Sequence, residues 1–190
     1  MERITETIKT YSRSFYQDKP IGFLDIDGQE EDLHRFYMRM EEGSLTRDEN
    51  PYNHFCVYFA AYDPNAKEVF IGYHKKSGLW LFNGGHIDLG ETPRQATIRE
   101  IGEEWGNVDY ELPDLPNLLT ITEIDNGKIL CRLHWDIWYF IKLDKNFFFP
   151  DNDMLIKEFY ENGWYTFDAA ENLITGLSTL KAIDLMRTKI

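Results

Sequence analysis

The chain has 190 residues and a mass of 22.5 kDa, and 43% of its residues are hydrophobic and 15% aromatic. This is the length of one domain with enough apolar material for a sizeable core, so we expect a globular protein. The net charge of −13, from 33 acidic and 20 basic residues, argues against partners such as nucleic acid or an anionic membrane. A small phosphorylated ligand is still compatible with this net charge, because cations held by carboxylates reverse the local charge.

The N-terminal part of the chain predicts two helices. The first covers residues 3–16, where apolar side chains recur at near-helical spacing: Ile4, Ile8, Tyr11 and Phe15. The second has the same periodicity and ends at Gly43: Leu33, Phe36, Tyr37 and Met40. Between them, DIDG at 25–28 lacks the remaining ligands of a calcium loop and predicts a turn. We expect residues 1–49 to form a helical extension packed on a main domain over 50–190.

From Pro51 the pattern changes to strands. His54–Tyr62 and Val69–His74 flank a turn of aspartate, proline and asparagine, which predicts a hairpin. Leu79–Phe82 predicts a short strand that runs into a glycine turn at residues 83–85.

The next stretch predicts one helix and further strands. Thr92-Pro93 marks the start of a helix that runs to about Trp105 and ends at Gly106. Leu118–Glu123 and residues 129–141, joined by Asn126-Gly127, predict a second hairpin. Its second strand carries bulky residues on both faces, so we expect it to be central.

The C-terminal part predicts one strand and one helix. A loop around Pro150 leads to a strand over Glu158–Tyr165, and Asp168 is predicted to cap a single final helix. Taken together, the element order predicts an α+β domain in which helices sandwich a mixed sheet.

An acidic cluster inside the predicted central helix points to chemistry. Glu100, Glu103 and Glu104 stand at i, i+3 and i+4, hence on one helix face, where unpaired carboxylates repel one another. Their oxygen atoms suit hard divalent cations such as Mg²⁺ or Mn²⁺. An acidic helix is more often a solvated face, but that interpretation does not explain Glu91 and Arg99 at fixed spacing from paired glycines.

The full spacing resembles a known signature. From Gly85 the chain has five residues, then Glu91, then seven residues, and finally the string REIGEEWG at 99–106. This resembles the signature of the Nudix hydrolase family and fills each of its fixed glycines, glutamates and its arginine. Two positions differ: Asn107 replaces an aliphatic residue, and Asn83 stands where many members have proline. The stretches at 74–91 and 161–173 are also similar to family members.

The resemblance implies a Nudix-type α/β/α sandwich with a mixed β-sheet. It also implies a hydrolase that needs Mg²⁺ or Mn²⁺ and cleaves a phosphoanhydride in a nucleoside diphosphate linked to another moiety, X, by attack of a metal-bound water. Nucleoside triphosphates and nucleotide sugars both remain open as substrates. The family's downstream markers of substrate class are absent, because Tyr110, Pro113 and Pro116 lie too close to the motif.

Residue roles follow from the same resemblance. The cations would be held by the backbone of Gly84 and by the three glutamates of the cluster, Glu100, Glu103 and Glu104. Arg99 would pair with Glu91 and fix the loop against the helix. The substrate would meet residues around the glycines and on two strands: Gly84, Gly85, His86, Lys75 and His134. One further acid outside the motif is expected, and Glu158, Glu161 and Asp144 are the candidates.

Two alternatives stay open at this stage. One is an enzyme like isopentenyl diphosphate isomerase, which shares the fold, and the FNGGH string with Cys56 is faintly similar to it. The other is a non-catalytic module that binds nucleotides. We expect the thiols of Cys56 and Cys131 to be buried, and the charged N-terminus predicts a cytoplasmic protein. The expected partner is a small phosphorylated substrate, without nucleic acid or membrane, and a homodimer is left open.

Overall fold

The computed structural model describes residues 2–17, 29–124 and 130–188. The predicted turns at 25–28 and at Asn126-Gly127 lie outside these residues. The helices are α1 Glu2–Gln17, α2 Gln29–Glu42, α3 Pro93–Glu104, α4 Asn152–Glu158, α5 Phe167–Leu173 and α6 Leu177–Arg187. The strands are β1 Asn53–Asp63, β2 Glu68–His74, β3 Trp80–Leu81, β4 Asn83–His86, β5 Leu118–Glu123, β6 Leu133–Lys142 and β7 Phe159–Thr166.

The strands form one mixed sheet in the order β3-β2-β1-β6-β5, with β4 also paired to β1 and β7 to β2. The β1–β6 pair is parallel, whereas the other pairs are antiparallel. The antiparallel strand pairing predicted for both hairpins is therefore confirmed, and β6 is central, as its bulky residues on both faces indicated. Among the described residues, no helix has the length and apolar character needed to span a membrane.

Two hydrophobic cores lie on opposite faces of the sheet. Alternate residues of β1, such as Phe55 and Phe59, join the core that α1, α2 and α3 cover. Residues of β1 that point to the opposite face, such as Ala60 and Tyr62, join a second core with α5 and α6. The α+β sandwich is thus confirmed. The division at residue 49 stays a prediction, although Phe36 of α2 packs edge-on against Trp135 of β6 with ring centroids 5.1 Å apart.

The structure corrects three predicted elements. Gly84 and Gly85 lie in strand β4 rather than in a turn, since they pair with Tyr58 and Val57 of β1. The expected loop after Pro150 contains helix α4, which is too short to show a periodic pattern in the sequence.

The single C-terminal helix is in fact two helices, α5 and α6. Residues 174–176 interrupt them, with Ile174 extended at φ −85° and ψ 132°. The side chain of Thr166, not of Asp168, accepts the capping hydrogen bond of α5, from the backbone N–H of Ala169 at 3.2 Å. The apolar spacing that predicted one helix continues across this break.

Candidate active site

A cleft of about 800 Å³ opens where α3 meets the glycine strand β4. Its lining comes from elements that are distant in sequence, namely helices α3 and α4 and every strand except β5, together with the loops between them. Helix α3 starts as its sequence predicted: Thr92 and Gln95 form a capping box, and Pro93 occupies the first turn. It ends before Gly106, whose φ of +73° favours glycine.

The backbone of strand β4 lies very close to the Glu100 side chain of α3. A Cβ atom added to Gly85 would lie 2.1 Å from Cδ and Oε1 of Glu100, and one added to Gly84 would lie 2.5 Å from the carbonyl of Val57. Real Cβ atoms do not make such contacts. The two glycines are therefore required by close approach, not by an unusual backbone angle.

The three motif carboxylates have different surroundings. Glu104 is buried, with 7% of its surface exposed, and it accepts hydrogen bonds from the Asn83 side chain and the Gly84 backbone. Burial raises the pKa of Glu104 to about 8, although the bond from Asn83 opposes this shift. Burial also raises the pKa of Glu100, against the effect of the neighbouring Arg99. The side chain of Glu103 is 61% exposed.

Arg99 connects the loop after β4 to the helix. Its guanidinium donates to both carboxylate oxygens of Glu91 at 2.9 and 3.0 Å, to Glu100 at 2.7 Å and to the carbonyl of His86 at 2.8 Å. The hydrogen bond from Arg99 lowers the pKa of Glu91 and outweighs the effect of its burial. This planar, multiply bonded arrangement fixes the relative positions of loop and helix.

Basic side chains line the same cleft as the acidic ones. Arg47, Lys76 and Lys157 line it, together with Glu158. Lys75, the lysine singled out from the sequence, lies outside the lining: it donates to the carbonyl of Ile156 and its Nζ is 5.5 Å from the ring of Tyr160.

Of the three acids considered outside the motif, Glu158 lines the cleft. Its carboxylate lies 2.9 Å from Nζ of Lys76 and 3.5 Å from Nε2 of His74. Burial raises the pKa of Glu158, but Lys76 and His74 lower it overall. Glu161 instead accepts from the Tyr165 hydroxyl at 3.0 Å, and Asp144 accepts from the Asn146 backbone at 2.9 Å.

His86 and His134 both line the cleft, close to the motif residues. Of the residues predicted from the sequence, the cleft lining therefore unites Gly84, Gly85, His86, Arg99, Glu100, Glu103, Glu104 and His134. Glu91 contributes through Arg99. No pattern in the sequence indicates Arg47 or Lys157 as cleft residues, because Arg47 precedes the sheet and Lys157 lies on helix α4, which the sequence does not predict.

Comparison with known proteins gives a family for this chain. A family model described as NUDIX domain matches residues 53–182. A protein of Rhodococcus erythropolis called uncharacterized Nudix hydrolase orf19 is 40% identical over 72 residues, which are 38% of this chain and 31% of that protein. The RNA pyrophosphohydrolase of Helicobacter pylori strain P12 is 48% identical over 50 residues, or 26% of this chain and 32% of that protein. These matches span about a third of each relative.

Comparison with solved structures shows the same fold over a larger part of the chain. The dihydroneopterin triphosphate pyrophosphohydrolase of E. coli superposes with a TM-score of 0.59 at 20% identity, covering 73% of this chain and 99% of that one. The resemblance inferred from the motif is therefore confirmed over most of the chain. With a family model that matches residues 53–182 and a sheet of the same fold, the chain belongs to the Nudix family.

Proposed function

We propose that the protein is a divalent-metal-dependent hydrolase that cleaves a phosphoanhydride bond in a nucleoside diphosphate linked to another moiety, X. One observation carries the proposal: the carboxylates of Glu100 and Glu104 meet the glycine strand β4 in a cleft that also holds basic side chains. Nucleoside triphosphates and nucleotide sugars are the substrate types we propose for it.

The donor set fits Mg²⁺ or Mn²⁺, which prefer carboxylate and carbonyl oxygens. Glu100 and Glu104 are partly or fully buried, and their raised pKa values mean that negative charge there is unfavourable without a cation. We propose that these two, with Glu103 and the Gly84 carbonyl, would hold the ion. When bound, the cation would neutralise charge on phosphate oxygens and lower the pKa of water.

Other side chains of the cleft have proposed roles of their own. Arg47, Lys76 and Lys157 would bind the phosphate oxygens of the substrate, since each is a cation that lines the cleft. Glu158 is the proposed acid outside the motif, because of the three candidates it is the one that lines the cleft. Arg99 would position Glu100 and the loop without touching the substrate, and His86 would lie beside the substrate.

Hydrolysis is favoured over the two alternatives because every carboxylate of the motif is present and the cleft brings three of them together. A non-catalytic module would bind nucleotides without turnover. An isomerase-like enzyme would convert isopentenyl diphosphate without releasing phosphate. Product analysis separates both from a hydrolase.

The test is a panel of nucleoside triphosphates, nucleotide sugars and dinucleotides with Mg²⁺ or Mn²⁺, with isopentenyl diphosphate included. We expect hydrolysis of at least one nucleotide, and a loss of about 100-fold or more in kcat for Glu103→Gln. The control Glu111→Gln changes an exposed glutamate outside the cleft lining and should keep the wild-type rate. A wild-type protein that cleaves nothing across pH and metal conditions would refute the hydrolase, and an unimpaired Glu103→Gln would refute this metal site.

A further inference from the structure

Three histidines and a cysteine converge on one face of the sheet beside the motif. His54 and Cys56 are two residues apart on β1 and so point to the same side. The sheet register places His134 of β6 opposite His54, and His86 of β4 opposite Cys56. One ligand atom from each of the four side chains lies within 4.8 Å of the others.

The imidazole rings are packed closely, with centroids 4.9 Å apart for His54 and His86, 5.1 Å for His54 and His134, and 5.6 Å for His86 and His134. Burial lowers the pKa of His134 to about 4, and it lowers the pKa of His54 as well. These two rings are consequently neutral at pH 7. A neutral imidazole has one nitrogen lone pair available to a metal ion.

The hydrogen bonding of these rings leaves lone pairs available to a metal ion. Nδ1 of His54 lies 3.0 Å from the carbonyl of Asn50, so it must carry the proton, and the Nε2 lone pair has only a weak contact, at 3.9 Å, with the thiol of Cys131. Both ring nitrogens of His134 are buried and have no hydrogen-bond partner among the described residues. A buried polar group without a partner destabilises the folded protein, so a cation that binds these lone pairs would remove that cost.

We propose that His54, Cys56, His86 and His134 bind one borderline divalent cation of the zinc type, at a site distinct from the carboxylates of α3. Tetrahedral zinc with imidazole and thiolate ligands requires donor atoms about 3.3–3.8 Å apart. The four donors, now within 4.8 Å of one another, thus need to close by about 1.5 Å at most.

The donor chemistry separates this site from the motif carboxylates. Imidazole and thiolate suit zinc and its neighbours in the first transition row, whereas magnesium prefers oxygen. The thiol of Cys56 is buried and protonated without a metal, and binding would release its proton to solvent. A competing group is Arg47, whose Nη1 lies 3.3 Å from Nδ1 of His86, but Arg47 is exposed and can turn towards solvent.

The consequence of binding would be structural and local. The site joins β1, β4 and β6, the strands that form this end of the cleft. Because His86 directly follows Gly85, a cation on His86 would fix the glycine strand against Glu100. The proposed ion would therefore hold the glycine strand in place at this end of the cleft.

Co²⁺ is the probe, because its visible absorption reports tetrahedral geometry and a near-ultraviolet band reports a bound thiolate. The full-length, metal-free, reduced protein is titrated with Co²⁺ in excess Mg²⁺, which occupies the oxygen ligands. We expect one equivalent of Co²⁺ to give both absorptions, and Zn²⁺ to abolish them. This readout does not depend on turnover, so it stands even if the proposed hydrolase activity is absent.

The variants identify the ligands. Cys56→Ser should abolish the thiolate band, and His134→Gln should weaken Co²⁺ binding at least 10-fold, whereas the matched control Cys131→Ser should keep the wild-type spectrum. Glu103→Gln should also keep it, because that residue belongs to the other site. The proposal is overturned if the wild-type protein shows no tetrahedral Co²⁺ spectrum. It is equally overturned if Cys131→Ser removes the thiolate band, or if His134→Gln binds Co²⁺ as tightly as wild type.

Discussion

At the scale of single residues, small side chains next to α3 determine whether the carboxylates can take their positions. Gly85 leaves the space that the Glu100 carboxylate fills. Asn83, which stands where the family signature often has proline, donates a hydrogen bond to the buried Glu104. Proline could not make that bond, since it has no side-chain donor. Asn83, where this chain departs from the signature, therefore helps to keep the buried carboxylate of Glu104 ionised.

The first prediction concerns Gly85→Ala. The added methyl group would lie 2.1 Å from Glu100, so this carboxylate must rotate away while the strand stays in place. Displacing a reacting group by about 1 Å can cost about 100-fold in rate, and we expect kcat to fall by that order with the fold retained. Steady-state kinetics and circular dichroism measure the two effects.

A matched glycine serves as its control. Gly163 lies on β7 outside the cleft lining, and a Cβ there would meet the Tyr165 ring at an ordinary 3.7 Å. Gly163→Ala should therefore keep the wild-type rate. A Gly85→Ala enzyme within about twofold of wild type would show that the close approach to Glu100 has no catalytic importance.

At the scale of elements, the sequence predicts those helices and strands whose signals come from neighbouring residues alone. Thr92-Pro93 and Gly106 located α3, because a capping box and a positive φ depend only on nearby residues. The glycine strand was mistaken for a turn, since its extended form depends on pairing with β1, which the local sequence does not contain. Helix α4 was missed for a similar reason: its seven residues give too few turns for periodicity.

The candidate site also has one part that the local sequence predicts and another that depends on the pairing of distant strands. Glu100, Glu103 and Glu104 share a face of one helix, so their spacing in the sequence was sufficient. The histidine cluster was not predictable, because the parallel register of β1 and β6 joins residues 80 positions apart, as His54 and His134 show. Lys75 and Lys76 are neighbours in sequence, and their local pattern could not distinguish which one faces the cleft.

The second prediction concerns Asp63, the last residue of β1. Its carboxylate accepts backbone N–H bonds from Asn65 and Ala66 at 2.8 and 3.0 Å and from Lys145 at 3.0 Å. Burial alone would raise the pKa of Asp63, but these bonds lower it overall. In Asp63→Asn the amide retains one acceptor oxygen and turns its NH₂ group towards a donor. We expect a loss of about 2–3 kcal/mol in the free energy of unfolding at pH 7.

The pH dependence of this loss follows from the lowered pKa. A carboxylate whose pKa is depressed by folding stabilises the protein above its unfolded pKa of about 3.9, and the benefit disappears as pH falls through the folded pKa. Urea unfolding should show wild type and Asp63→Asn apart at pH 7 and convergent at strongly acidic pH. Asp144→Asn, in an exposed turn of the neighbouring loop, should lose less than about 1 kcal/mol. A constant difference at all pH values would contradict the ionic origin of the effect.

At the scale of the whole molecule, an acidic chain concentrates several of its cations in one cleft. Arg47, Lys76, Arg99 and Lys157 all line it, although the chain carries a net charge of −13. The same lining carries five carboxylates, those of Asp88, Glu100, Glu103, Glu104 and Glu158. The cleft therefore offers opposite charges both to anionic phosphates and to divalent cations, and a phosphorylated ligand would need those cations because the lining is not basic overall.

The last prediction concerns the N-terminal helices and the core they share with the sheet. Phe36 of α2 is fully buried and packs edge-on against Phe55 at 5.6 Å and Trp135 at 5.1 Å between ring centroids. Phe36→Ala would leave a cavity between α2 and two central strands. We expect it to lower the free energy of unfolding by about 3–5 kcal/mol.

Met38→Ala on the same helix is the control, because Met38 is 53% exposed and should lose less than about 1 kcal/mol. Denaturant unfolding is followed by tryptophan fluorescence, which reports on the main domain because all five tryptophans of the chain lie outside residues 1–49. If residues 1–49 were an appendage with its own stability, Phe36→Ala would leave this transition unchanged. Since the ring contacts the sheet directly, we expect the whole transition to move to lower denaturant, with the N-terminal helices and the strands unfolding as one unit.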